Sequence, residues 1–241
     1  MGIGDFLLFV APIIFLELLA AIAGSYYLKT VKSPIKNTNL LVMFLWFTVF
    51  VEIFGSYSPI GYFSEYRYFP FIQDTVFQNN LWWYNLFAIS NFAFFTYYFI
   101  SFLKNKTLRS IAHVSIVLYL FISLGVYIIT GSLFSSTSNF VMIIGTLLLL
   151  MSVLSFYFEL LRSDLLLQLK RLLPFYISVG VLIFNLCVTP VDILSDYFSA
   201  THGNALFVKL HITVLLFANL FLYTSFILGF LICSRTRKFS Y

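Results

Sequence analysis

Seven long runs of apolar residues divide this chain, and they constrain its fold more than any other feature. At about 1.5 Å per residue, each run is long enough to cross the roughly 30 Å hydrocarbon core of a bilayer as a helix. A backbone surrounded by lipid must satisfy its own hydrogen bonds, so each run is predicted to be an α-helix. The predicted spans are Phe6–Leu28, Leu40–Phe63, Leu81–Leu103, Ile111–Thr130, Phe140–Leu161, Leu173–Leu194 and Leu206–Cys233.

The composition agrees with a chain whose solvent is lipid. Only 10% of the 241 residues are charged and 61% are hydrophobic, whereas soluble domains are about 25% charged. We therefore predict an all-α, polytopic membrane helix bundle in which residues 1–241 form a single transmembrane domain. The net charge of +5 does not indicate nucleic-acid binding, because the basic residues fall in short connections between apolar runs. Membrane lipid is the expected surrounding.

The distribution of lysine and arginine predicts the orientation of the bundle. Basic residues concentrate in cytoplasmic connections, and all but Arg67 and Lys209 of the 14 fall in alternate connections and the C-terminal tail. This pattern places the N-terminus outside and the C-terminus in the cytoplasm. The run Trp82-Trp83-Tyr84 is predicted to anchor the outer interface. The residues assigned to the cytoplasmic side are Lys29, Lys32, Lys36, Lys104, Lys106, Arg109, Arg162, Lys170, Arg171, Arg235, Arg237 and Lys238.

Several polar residues lie inside the predicted spans and are the candidates for function. A charged side chain at mid-bilayer costs about 3 kcal/mol or more, so each needs a partner or a purpose. Ordered by depth, they form a middle layer and an outer layer, which we interpret as a small-ligand or ion pathway that opens outward. The middle layer holds Glu17, Asn91, Asn185 and Asn219, and the outer layer holds Glu52, Asn85, Asp192, Lys209 and His211.

A structural role for the same residues is the alternative. Interhelical hydrogen bonds and one ion pair would also hold a membrane bundle together. We favour that interpretation slightly for Glu17 and the asparagines. For Glu52, paired with Lys209 or His211, we favour a functional role.

The segment Leu160–Leu172 mixes leucines with polar residues and differs from the other connections. It is predicted to continue the fifth span beyond the membrane or to form an interfacial helix, since Asp164, Gln168 and Arg171 share one face at α-helical spacing. Its role is either a membrane-surface connector or a docking face for a cytoplasmic partner. The docking candidates are Arg162, Asp164, Gln168, Lys170 and Arg171.

Motifs of known enzyme classes are missing from the sequence. The chain has no His-Glu-x-x-His, no Gly-x-Ser-x-Gly and no glycine-rich phosphate loop. The three histidines fall in separate spans or connections, which makes a zinc site improbable. No catalytic residue, metal or cofactor is therefore assigned. An intramembrane enzyme that uses Glu17 and Glu52 for acid–base chemistry stays an alternative.

Four short motifs resemble those of a group of small seven-helix membrane proteins of Bacteroidota. The resemblance extends along the chain. It implies an inner (plasma) membrane location, and it implies no activity because none is established for the group. The motifs are Phe15-Leu16-Glu17-Leu18-Leu19, Val51-Glu52-Ile53-Phe54-Gly55-Ser56-Tyr57, Asn80-Leu81-Trp82-Trp83-Tyr84-Asn85 and Phe158-Glu159-Leu160-Leu161.

These observations together predict a non-enzymatic sensor or an accessory subunit of a membrane protein complex. The connections between spans are too short to form an output domain. A signal would therefore pass to a separate membrane or cytoplasmic protein partner. The alternatives are a small-solute or proton-coupled transporter, and the intramembrane enzyme.

Overall fold

The computed structural model describes residues 3–202 and 205–236, and the chain in these ranges is helical, without strands. The predicted all-helical fold is confirmed. Helices occupy most of each predicted span, although the second span is divided at Ser56 and the helix of the third ends at Ile100. Three short 3₁₀-helices lie at Pro70–Ile72, Ser132–Phe134 and Asp164–Arg171. The α-helices described are α1 (Ile3–Thr30), α2 (Thr38–Gly55), α3 (Tyr57–Phe63), α4 (Leu81–Ile100), α5 (Lys106–Thr130), α6 (Asn139–Leu161), α7 (Leu173–His202) and α8 (Ala205–Thr236).

Six helical segments in the described part of the chain are long and apolar enough to cross a membrane, as in a multi-pass membrane protein. The remaining predicted span, Leu81–Leu103, is the third along the chain and corresponds to α4. That helix has 20 residues and is not among those six. Its polar residues, including Asn85 and Asn91, lower its apolar character. The six segments are Val10–Thr30, Thr38–Phe63, Lys106–Thr130, Asn139–Leu161, Leu173–Leu194 and Leu206–Arg235.

Six of the helices form a closed ring. Around the ring, α1 packs on α2, α2 on α4, α4 on α6, α6 on α7, α7 on α8, and α8 again on α1. Helix α5 lies outside the ring, against α4 and α6. Because the ring closes, side chains from helices distant in sequence can meet at its centre.

Local sequence signals set several helix ends. The Asn105 side chain accepts hydrogen bonds from the backbone N–H groups of Thr107 and Leu108 at the start of α5. Ser138 caps α6 in the same way through the N–H of Val141. Helix α5 ends at Gly131, whose φ of 64° is a conformation that glycine adopts without strain.

The ring has two distinct ends. At the basic end, which carries residues 31–37, 101–105 and 162–172, the Lys36 ammonium donates to the Ser101 carbonyl at 3.2 Å. At the opposite end, which carries residues 64–80 and 131–138, the Phe6 and Phe63 rings lie 5.7 Å apart. These contacts show that α1 begins at the end where α3 finishes.

Near the basic end the ring is packed solid with aromatic side chains, which we call the aromatic block. All of them are 0–1% exposed, and Tyr27 contacts Phe230 with ring centroids 5.8 Å apart. Close helix approach here needs a glycine, because a Cβ on Gly24 would lie 2.7 Å from Val42 Cγ2. The aromatic block consists of Tyr27, Tyr98, Phe99 and Phe230.

The segment after α6 differs from its prediction. Helix α6 ends at Leu161, and Asp164–Arg171 is a 3₁₀-helix with non-helical torsion angles at Gln168. A 3₁₀-helix has about 3.0 residues per turn, so the α-helical spacing that placed three polar residues on one face does not apply. Of the docking candidates, Arg162, Gln168, Lys170 and Arg171 are exposed, and the Arg162 guanidinium lies 4.0 Å from the Phe158 ring centroid.

Two parts of the earlier predictions lie outside the described residues. The Asp164 side chain is one of them, although its backbone belongs to the 3₁₀-helix. The basic tail residues Arg237 and Lys238 are the other.

Candidate functional site

Away from the aromatic block, the ring encloses a cavity of about 400 Å³, which we call the polar cavity. Helices α1, α2, α4, α7 and α8 all contribute to its wall. The structure thus brings together all four members of the predicted middle layer and one member of the predicted outer layer. The predicted residues in the wall are Glu17, Glu52, Asn91, Asn185 and Asn219.

Glu17 reaches the polar cavity from α1. Together with Val10 and Ile13 it forms one face of that helix, because residues three, four and seven apart lie on the same side. Glu17 is only 3% exposed, and its Oε2 atom has no hydrogen-bond partner among the described residues. The Tyr223 hydroxyl of α8 interacts with the same carboxyl group. Glu17 is therefore a buried acid with an unused acceptor atom.

Glu52 reaches the polar cavity from α2 and has a defined partner. Its Oε2 atom accepts a hydrogen bond from the Tyr84 hydroxyl at 2.9 Å. The Tyr84 ring lies on Gly55, where an added Cβ would sit 2.6 Å from the hydroxyl oxygen. A larger residue at position 55 would therefore displace Tyr84 from Glu52.

The two asparagines from α7 and α8 hold their amide groups in the same way. Asn185 donates through Nδ2 to the Val181 carbonyl at 2.8 Å, and Asn219 donates through Nδ2 to the Leu215 carbonyl at 2.9 Å. Each bond goes back one turn in the same helix. Each bond uses one of the two N–H groups of its amide, so the second N–H and the side-chain oxygen remain for other contacts.

Phenylalanine rings form the apolar part of the wall and close it toward the aromatic block. The Phe95 centroid lies 5.6 Å from that of Phe44 and 6.1 Å from that of Phe226. Both Phe95 and Phe226 are buried. These rings separate the polar cavity from the aromatic block. The five phenylalanines in the wall are Phe44, Phe87, Phe95, Phe184 and Phe226.

Asn85 belongs to a different site from the one predicted. It is 2% exposed and donates through Nδ2 to the carbonyls of Leu133 and Ser136, at 2.9 and 3.0 Å. Its Oδ1 atom accepts from the Tyr127 hydroxyl at 3.1 Å. This arrangement ties α4 to the connection between α5 and α6, which is a structural role.

The predicted pairing of Glu52 with Lys209 or His211 is not what the structure shows. His211 Nε2 lies 2.9 Å from Asp192 Oδ1, so those two residues pair across α7 and α8. Lys209 is exposed. Because residues two apart on a helix point to different faces, Lys209 and His211 do not share a partner. Glu52 interacts instead with Tyr84.

Two tyrosines of the site, Tyr84 and Tyr223, were missed from the sequence. Tyr84 reads as part of the aromatic run that anchors the interface, yet its hydroxyl points inward to Glu52. A usable signal is present, since Tyr84, Phe87, Asn91 and Phe95 recur at helical spacing on one face of α4. Tyr223 has a comparable signal, since it lies four residues after Asn219 and three before Phe226 on the face of α8 that lines the cavity.

Comparisons of this chain with protein-family models, with curated proteins and with solved structures find no match. Within the described ranges, no three side chains of His, Cys, Asp or Glu are grouped so that they could hold a metal ion. The wall of the polar cavity instead combines two carboxyl groups and side-chain amides with aromatic rings.

Proposed function

We propose that this protein is a non-enzymatic sensor or accessory subunit that binds a small ligand in the polar cavity. The observation that carries the proposal is the cavity itself, which reaches both Glu17 and Glu52. Small-molecule sites usually occupy about 300–1,000 Å³ and combine apolar walls with a few polar groups. The polar cavity has that size and that composition.

The aromatic block supports a binding role over a continuous pathway. A pathway needs access from both sides, and the rings between the cavity and the basic end are packed without space for a solute. The connections between helices hold no output domain. A signal would therefore pass to a partner protein, for which the exposed basic residues of the segment after α6 offer a contact surface.

The proposed topology has seven crossings, with α4 as the seventh. Helix α4 lies in the ring between α2 and α6, both of which belong to segments able to span a membrane. Its 20 residues reach about 30 Å, the thickness of the hydrocarbon core. The basic end faces the cytoplasm in this proposal, which puts the polar cavity toward the outside of an inner (plasma) membrane, the location implied by the proposed resemblance to Bacteroidota membrane proteins.

Cysteine labelling tests both the cavity and its orientation. In a background of Cys187→Ser and Cys233→Ala, T48C places a thiol in the cavity wall and S178C places one at a fully buried position outside that wall. A small membrane-impermeant thiol reagent added from outside should label T48C and leave S178C unlabelled. Labelling of T48C from the cytoplasmic side alone would contradict the orientation, and no labelling from either side would contradict the binding role.

A transporter is the second candidate, favoured by the placement of two carboxyl groups near the centre of the bundle. Glu52→Gln in proteoliposomes separates the two functions. A transporter should lose flux in this variant while the protein stays folded. A sensor or subunit should show no flux in the wild type and should co-purify with a partner protein in mild detergent.

A further inference from the structure

The polar groups of the cavity are mainly hydrogen-bond acceptors. The Tyr84 hydroxyl already donates to Glu52, and the Asn185 and Asn219 NH₂ groups already donate to their own helices. What faces a ligand is therefore a set of carboxyl and amide oxygens, together with the second N–H groups of Asn185 and Asn219 and the Asn91 amide. A ligand that satisfies these oxygens must bring its own N–H or O–H groups.

The ionisable side chains at the wall include carboxyl groups but no basic groups among the described residues. Glu17 and Glu52 line it, and none of its described residues is Lys, Arg or His. A buried carboxyl group stays ionised only where a positive partner offsets its lost hydration. The Glu17 carboxyl group is the point of contact, since Glu17 lines the cavity and its Oε2 atom has no hydrogen-bond partner in the described part of the chain. An ammonium N–H supplies the positive charge and the hydrogen bond together.

The volume of the cavity and its phenylalanine rings indicate the chemistry of the rest of the ligand. A water molecule occupies about 30 Å³ of liquid, so a bare ion would fill little of the roughly 400 Å³. The five phenylalanines can pack against an apolar body, and aromatic faces attract cations within about 6 Å of the ring centre. The cavity thus suits a molecule with one cationic group and one compact apolar part.

We infer that the ligand of the polar cavity is a small organic ammonium ion whose N–H groups bind Glu17 and Glu52. Its apolar body lies among the phenylalanine rings. The inference rests on the proposed ligand-binding function and names the chemical class of that ligand.

Three probes of equal shape and different charge test it on the purified full-length protein. They are 2-phenylethylamine, which is an ammonium ion at pH 7, 2-phenylethanol, which is neutral, and phenylacetate, which is an anion. Calorimetric titration should give about tenfold or tighter binding for the amine than for the alcohol, with phenylacetate weakest, because a hydrogen bond between charged groups is stronger than a neutral one.

Matched variants locate the contact. Glu17→Gln should weaken amine binding about tenfold or more while changing alcohol binding less than about twofold. Glu52→Gln should also weaken amine binding. If Glu17→Gln does not fold, the affinity of Glu52→Gln for the amine tests the contact instead. Glu65→Gln is the control, because it removes one carboxyl group from an exposed position outside the cavity.

Two results would overturn the inference. One is equal or tighter binding of the alcohol or of phenylacetate than of the amine, and the other is no amine binding at millimolar concentration. If T48C is labelled from outside in either case, the ligand-binding function stands and only the ligand class is wrong. If T48C is unlabelled from both sides, the binding function itself is wrong.

Discussion

The polar cavity and the aromatic block occupy the same ring of helices, yet one is hollow and the other is solid. Helix α1 contributes Glu17 to the cavity and Tyr27 to the block, and α4 contributes Tyr84 and Tyr98 in the same way. The change from one region to the other therefore occurs within single helices, over about three turns in α1 and about four in α4. Residue choice along each helix, rather than helix placement, creates the difference.

The comparison shows which part of the bundle holds it together. Between helices in lipid, association depends on close packing and polar contacts rather than on water exclusion. The aromatic block maximises packing. The polar cavity gives packing up. Both regions hold a buried polar atom without a hydrogen-bond partner among the described residues, Glu17 Oε2 in the cavity and the Tyr98 hydroxyl in the block, so the open space is what distinguishes the cavity.

The largest expected effect comes from truncating one ring in each region. Phe230→Ala should destabilise the protein by about 3–5 kcal/mol, because the ring is fully buried and the surrounding helices cannot collapse into its space. Phe87→Ala should cost less than about 2 kcal/mol, because that ring is only partly buried and already borders a cavity. Unfolding in mixed detergent micelles, followed by circular dichroism, measures both. Equal losses would mean that the two regions are packed alike.

A second effect separates the structural asparagine from those of the cavity. Asn85→Leu should cost about 2–4 kcal/mol, since it leaves two backbone carbonyls and the Tyr127 hydroxyl without their partner. Asn219→Leu should cost less than about 1 kcal/mol, because Asn219 bonds only to the carbonyl of Leu215 in its own helix among the described contacts. The same unfolding measurement applies. A larger loss for Asn219→Leu would assign a structural role to the cavity amides.

The sequence predicts the helices better than their ends. The length of an apolar run locates each span. It marks only the part of the helix that lipid covers, and not the residues at which the helix begins and ends. Helix α7 was predicted to stop at Leu194 and continues to His202, because a helix does not have to end where its apolar run ends. The break in the second span, between Gly55 and Tyr57, does have a sequence signal, because Pro59 has no N–H to donate to the Gly55 carbonyl. That carbonyl accepts from Asn80 Nδ2 at 2.7 Å instead.

The sequence also predicts the depth of a residue in the membrane better than the side of its helix on which the side chain lies. Asn85 and Asn91 are both polar residues of α4, and depth alone makes both candidates for the cavity. At about 100° per residue, their six-residue separation turns them about 240° apart around the helix, so only Asn91 faces the cavity. Which face of α4 points inward depends on the order of helices in the ring, and the sequence does not reveal that order.

A third, smaller effect tests whether the Glu17 carboxyl group serves ligand binding rather than stability. In a Tyr223→Phe background, Glu17→Met should raise stability by about 1–2 kcal/mol, because it replaces a buried group with an unused acceptor by an apolar side chain of similar size and leaves no tyrosine hydroxyl without its partner. The same variant should lose affinity for 2-phenylethylamine. Glu65→Gln is the control and should change stability by less than about 0.5 kcal/mol. A loss of stability in Glu17→Met would instead mean that Glu17 holds the bundle together.

The smallest effect concerns the Asp192–His211 pair, which lies outside both regions. Its side chains are 27% and 28% exposed, and ion pairs of that exposure contribute about 0.2–1 kcal/mol. Asp192 has further interactions, so Asp192→Asn alone would report more than the pair. A double-mutant cycle with His211→Gln isolates the coupling energy, which should stay below about 1 kcal/mol.

The affinities of Asp192→Asn and His211→Gln for 2-phenylethylamine show whether the binding site extends beyond the polar cavity. Neither residue lines the polar cavity, so both variants should bind 2-phenylethylamine within about twofold of the wild type, whereas Glu17→Gln should not. If His211→Gln weakened binding as much as Glu17→Gln, the contacts between α7 and α8 at the end opposite the basic end would belong to the site. The functional region would then extend beyond the cavity, and the outer layer predicted from the sequence would regain two of its members.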